Sequence, residues 1–146
     1  MIKLYTIGFT KKNAQQFFDL LISNSVNNIV DTRINNTSQL AGFAKADDLE
    51  YFAHQLGGIN YKHNIDFAPT KELLSKYRKQ EMSWQEYEIE YLNLLDMRNI
   101  LKDLSIEELH NNCLLCSEHT PEHCHRRLLA EYLQRVNSNV EIVHLS

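Results

Sequence analysis

Short apolar runs, each closed by glycine or polar residues and followed by a stretch of helical periodicity, recur along this chain of 146 residues. That alternation leaves few folds open. Residues 3–7 read as a strand broken at Gly8. Residues 13–23 set Phe17, Phe18, Leu21 and Ile22 at helical spacing, and 26–32 read as a second strand around Ile29 and Val30. A helix is predicted over 47–56, with Leu49, Phe52, Ala53 and Leu56 on one face and Gly57-Gly58 as its stop. Residues 59–63 form a short third strand. Pro69 and Thr70 introduce a helix through Tyr77, and Ser83 caps another that carries Trp84, Tyr87, Tyr91, Leu92 and Leu95. Ser105 and Glu108 have the spacing of a capping box over a short turn. A fourth strand covers 113–117, Thr120 or Pro121 opens the last long helix, and 140–145 form a final strand. The pattern predicts one α/β domain: a mainly parallel sheet of about five strands with helices on both faces.

An apolar fraction of 43% and a charged fraction of 23% are those of a folded globular chain rather than a disordered one. The formal net charge of −4 argues against broad electrostatic attraction to nucleic acid or anionic membrane, although a local basic patch is compatible with it. The opening MIKLYTIGF is too short for the apolar segment of a signal peptide, and no run reaches membrane-spanning length. Three cysteines without an export signal lead us to expect reduced thiols and a cytoplasmic protein. Oligomeric state is not legible.

In parallel sheets ligands bind beyond the carboxyl ends of the strands. The polar clusters fall there: Gly8 to Thr10, Asp31 to Arg33, His63 to Asp66, and Ser117 to Arg126. The stretch RINNTSQLAGF after the second strand is long and polar, as functional loops often are. On a helical wheel, Leu128, Leu129, Tyr132, Leu133 and Val136 define a buried face with His125 near its centre. Cys124 and Arg126 flank it, while Arg127 points outward toward Glu131. His125 therefore faces the sheet at a helix N-terminus, a place that favours anions. It is the candidate proton-transfer group, Cys124 a candidate low-pKa thiol, and Arg126 an anion clamp. The bland alternative is a buried histidine satisfied by a carbonyl, with cysteine as filler.

Asp31 and Arg33 lie two apart at a strand end and share a face, an acid and a guanidinium aimed at one crevice. Glu118 is read as a base or as the partner of Arg126. Cys113 and Cys116 form a C-x-x-C, but three residues apart on a strand they face opposite ways. That spacing makes Cys113 core and leaves Cys116, with Thr10, as a secondary site candidate. Cys116, His119, His123, Cys124 and His125 are zinc-type ligands, yet their spacing matches no usual structural pattern. No metal and no cofactor is therefore assigned. His63 and Asp66 are weaker candidates, and Trp84, Tyr87 and Tyr91 read as core more readily than as a base-stacking platform.

TIG after the first strand, VDTR after the second, GGINYKH at the third and LLCSEHTPEHCHRRLLAEYL near the end together resemble the family called domain of unknown function 488. The similarity spans essentially the whole chain. It implies a compact α/β domain, bacterial or phage-like and usually intracellular, with no settled activity. The recurrent polar positions of that family fall on Asp31, Arg33, Cys116, Glu118, Cys124, His125 and Arg126. Many members carry histidine and serine after the first glycine, where Phe9 and Thr10 stand here, and proline and arginine near Asn35 to Ser38.

The sequence thus suggests a small enzyme acting on a phosphate- or carboxylate-bearing substrate, such as a nucleotide or nucleic acid. Arg33 and Arg126 would bind the anion, with His125, Cys124, Glu118 and Asp31 as catalytic candidates. The alternatives are a non-catalytic ligand or nucleic-acid binding module and, ranked lower, a thiol or metal-dependent enzyme.

Overall fold

A computed structural model describes residues 1–37 and 42–146. Part of the polar stretch singled out above, residues 38–41, lies outside the described residues. In chain order the elements are β1 (Ile2–Gly8), α1 (Ala14–Ser23), β2 (Asn28–Asp31), α2 (Ala46–Gly57), β3 (Asn60–His63), α3 (Lys71–Arg78), α4 (Trp84–Met97), β4 (Asn112–Cys116), α5 (His125–Val136) and β5 (Val140–Leu145), joined in places by short 3₁₀ turns. All the strand pairings are parallel, in the order β3-β2-β4-β1-β5. The predicted α/β fold is the observed one.

Parallel crossovers are right-handed, so the direction in which the chain steps across the sheet fixes the face that each helix covers. The chain first steps from β1 to β2 to β3, then back to β4 and on to β5. Accordingly α1 and α2 pack on one face, with Phe17, Leu21, Leu49 and Ala53 against Ile7, Ile29 and Leu115. On the other face α3, α4 and α5 pack Leu73, Tyr91, Leu95 and Leu129 against Leu4, Val30 and Leu114. The central strand β4 is buried throughout and apolar at four of its five positions, as a strand covered on both sides requires. Edge strand β3 is largely exposed.

Local chemistry sets the helix ends. Asn13 and Gln16 form a reciprocal capping box on α1, and Ser83 with Glu86 does the same on α4. Gly58 ends α2 in the left-handed region at φ 62°, where glycine carries no side-chain penalty. Two expectations are corrected. The Ser105–Glu108 capping box does not form, because the Ser105 hydroxyl donates instead to the Glu107 carboxylate, 3.2 Å away. The last helix begins at His125 rather than at Thr120 or Pro121, whose segment is spent on turns. Phe52 and Leu56, expected inside, are 37% and 57% exposed and form an apolar patch with Ile22.

Candidate functional site

After β2 the chain leaves toward α2 on one face, while after the adjacent β4 it leaves toward α5 on the other. The diverging loops open a crevice at the carboxyl ends of these two strands, the usual ligand position in such sheets. A cavity of about 230 Å³ lies there, and Arg33, Cys116, Glu118, Cys124 and His125 are on its walls.

Arg33 is held on several sides. Its Nε and Nη2 donate to the two Asp31 carboxylate oxygens at 2.9 and 2.8 Å, and its backbone N–H donates to the same carboxylate. The Tyr61 hydroxyl donates to Asp31 at 2.6 Å, and the Phe9 ring lies 5.3 Å under the guanidinium carbon. Burial pushes the Asp31 carboxyl up, but the hydrogen bonds and charge of Arg33, with Tyr61, outweigh it and hold it below the usual range. This leaves one guanidinium nitrogen over: Nη1 of Arg33 is buried and has no hydrogen-bond partner among the described residues. Phe9 thus supports the cation through its ring face.

His125 is the first residue of α5 and is 8% exposed. Its Nε2 lies 2.8 Å from the Thr32 carbonyl oxygen and 3.0 Å from the Thr32 hydroxyl. A carbonyl only accepts, and the Thr32 hydroxyl already donates to the Leu115 carbonyl, so Nε2 carries the hydrogen. The Nδ1 lone pair remains available. Burial, with a smaller contribution from Arg126, lowers the imidazole to about 4 despite the Thr32 carbonyl, so it is neutral at physiological pH.

Arg126 is fully buried and does not line the cavity. It lies beneath the site, with Nε donating to the Thr6 hydroxyl and Nη1 to the Glu118 carbonyl oxygen at 2.7 Å and the Cys116 sulfur at 3.0 Å. The Thr6 hydroxyl also lies 2.6 Å from Nδ1 of His144. No carboxylate among the described residues pairs with Arg126, and Nη2 has no partner. Burial brings its pKa down to about 10, which still leaves it cationic. A buried cation without a carboxylate favours electron-rich neighbours, and the Glu118 carbonyl and the Cys116 sulfur are both within its reach.

The sulfurs of Cys116 and Cys124 lie within bonding reach of each other, where reduced thiols were expected, although the Cα atoms stand 7.6 Å apart; Cys113 is free and buried. The pairing across eight residues joins the end of β4 to the N-cap of α5, where Cys124 makes no side-chain capping bond. As the strand geometry predicts, Cys113 faces the core and takes no part.

Glu118 is exposed at the rim, and its contact with Arg126 runs through its carbonyl rather than its carboxylate. Thr10 lies off the cavity and, through both its N–H and its hydroxyl, binds the Ser117 carbonyl, while His119 approaches the Thr10 carbonyl. Nε2 of His63 contacts the Arg33 carbonyl, and Asp66 is exposed on the surface. Arg127 pairs with Glu131 at 3.1 Å, as the helical wheel predicts.

Sequence reasoning missed the opposite wall. Tyr77, Trp84 and Tyr87 join the core cluster and also line the cavity, with Trp84 stacked on Tyr87 at 5.1 Å and His123 5.0 Å from Trp84. Arg78, exposed at the end of α3, completes that wall. The i, i+3 spacing of Trp84 and Tyr87 was a signal for one shared face, but not for one that borders a cavity.

Comparison with curated proteins and with solved structures returns no match. Residues 13–133, which contain every polar group of the crevice, match the family described as Domain of unknown function DUF488, and the chain belongs to that family.

Proposed function

We propose that the protein is a small enzyme whose cavity takes a phosphate- or carboxylate-bearing substrate with a planar ring, such as a nucleotide. The observation that carries this reading is the leftover Nη1 of Arg33, a buried cationic donor without a partner among the described residues, on the wall of an open cavity. Leaving such a donor unsatisfied costs about 1–3 kcal/mol or more, a debt an incoming anion would cancel. Asp31 orients the guanidinium, Arg78 adds a second positive charge at the mouth, and Trp84 and Tyr77 give the cavity an aromatic wall beside which a ring could pack. At about 230 Å³ the cavity is smaller than most sites for drug-sized ligands, so it suits an anionic group and part of a ring, the remainder staying at the mouth. The neutral His125, with its Nδ1 lone pair, is the proton acceptor, and Glu118 at the rim is the second acid–base candidate.

Trp84 is the single tryptophan, so its fluorescence reports on this cavity alone. Titration with adenosine monophosphate, ribose 5-phosphate and inorganic phosphate is expected to give a saturable change, tightest for the ring-bearing ligand. Arg78→Gln, a change at an exposed position, should weaken binding roughly tenfold, the size of one charge-assisted contact. No saturable change with any of the three ligands would contradict the proposal. Mass analysis of the incubated ligand separates catalysis from binding. His125→Gln should bind and leave the ligand intact, whereas a wild-type protein that also leaves every bound ligand unchanged would favour a non-catalytic module.

A further inference from the structure

The Cys116–Cys124 pair has two chemical states, and the reduced one has a use that the anion reading does not require. Cys116 closes a strand, Cys124 caps a helix and His125 follows it, so three ligating side chains from two elements converge. One donor atom from each lies within 4.8 Å of the others, and all three residues are buried. The Cα atoms of the cysteines are 7.6 Å apart, wider than the roughly 4.4–6.8 Å that disulfides usually span. Two thiolates on one tetrahedral zinc, each bonded at about 2.3 Å, hold their sulfurs about 3.8 Å apart, which relaxes that demand on the backbone. We infer that, once reduced, Cys116, Cys124 and His125 form a three-ligand site for a zinc-class cation, with its fourth position open to the cavity.

The surroundings fit this role. The Nε2 hydrogen of His125 is committed to the Thr32 carbonyl, which fixes the ring and directs the Nδ1 lone pair to ligation, the usual arrangement around a metal-bound histidine. Nη1 of Arg126 donates to the Cys116 sulfur, a contact that stabilises a thiolate. Two thiolates neutralise a divalent ion, and the cationic Arg126 beneath leaves the site attractive to an anion at the open position. Formation is balanced. A dithiol reductant gives two electrons and two protons to the disulfide and becomes a disulfide itself; zinc then displaces whatever thiol protons remain.

The test uses the full chain, reduced and desalted without oxygen, titrated with zinc against a chromophoric chelator. One zinc per chain is expected, and it should protect two thiols from alkylation. Cys116→Ser and Cys124→Ser should each lower affinity at least 100-fold, and Cys113→Ser should leave it unchanged. Cobalt(II) added to the reduced wild type should give thiolate charge-transfer and tetrahedral ligand-field bands, a readout that needs no variant to fold. Zinc binding below stoichiometry, binding indifferent to both cysteine substitutions, or a cobalt spectrum without thiolate bands would overturn the site. Trp84 titration with adenosine monophosphate in metal-free protein tests the anion reading separately, so either can fail alone.

Discussion

Asp31→Asn is expected to lower the stability of this protein by about 3–5 kcal/mol, the usual cost of removing one partner from a buried ion pair. The cause is specific. Arg33 is only 4% exposed, two of its nitrogens and its backbone N–H end on the Asp31 carboxylate, and Nη1 already lacks a partner among the described residues. Asparagine keeps the shape but withdraws the charge and turns half of an acceptor into a donor. Urea denaturation should show the loss as a lower midpoint at unchanged slope, and melting should fall by roughly 10 °C. The double variant Asp31→Asn, Arg33→Met should recover much of the loss, because no charge then remains buried. Acid should act the same way as the single substitution. The native Asp31 carboxyl is held below its unfolded value, so its contribution is complete above about pH 4 and fades as the pH falls through the native pKa. Asp31→Asn should lack this part of the acid sensitivity.

Gly8→Ala is the second substitution with a large expected effect. A Cβ at position 8 would overlap the carbonyl carbon and oxygen of Glu118 and come within 3.0 Å of Nη1 of Arg126. The obstacle is backbone, which moves at greater cost than a side-chain tip. The 117–118 segment has to shift away from β1, breaking the contact between Arg126 and the Glu118 carbonyl that positions the loop before α5. A loss of about 1–3 kcal/mol is expected from the overlap, with more where the Arg126 contact goes too. Gly42→Ala is the matched control, since a Cβ there meets nothing within 4 Å among the described residues and should change stability little. Equal denaturation midpoints for the two variants would refute the close-approach account of Gly8.

These two residues also show what the sequence made legible. Gly8 was readable as the end of a strand, because glycine after an apolar run is a local signal. Its packing against a carbonyl 110 residues further on is not local and left no trace. Asp31 and Arg33 were readable as partners because their spacing of two puts them on one face of a strand. The strands themselves stood out since both faces of a parallel sheet are covered, and Leu4, Ile29, Val30 and Leu114 are apolar for that reason. The start of α5 was misplaced because Thr120 and Pro121 carry the usual opening chemistry, whereas Cys124, the actual cap, makes no capping bond. Cys113-Leu-Leu-Cys116 is rightly set aside on strand geometry, but the meeting of Cys116 with Cys124 is not legible from spacing. Spacing patterns describe ligands on one hairpin or helix, and here Cys116 meets Cys124 across a strand-to-helix junction. The aromatic wall was assigned to the core on its periodicity. That assignment holds for Tyr91 and is incomplete for Trp84 and Tyr87, which serve the core and the cavity together.

The account rests on an anion meeting Arg33 in the crevice between β2 and β4. The most direct measurement is a crystal structure of the protein soaked in tungstate, a phosphate-shaped ion with a strong anomalous signal. The account predicts an anomalous peak in the cavity with an oxygen about 3 Å from Nη1 of Arg33. A cavity that stays empty at saturating tungstate, or an Nη1 capped by one of the protein's own carbonyls, would contradict it.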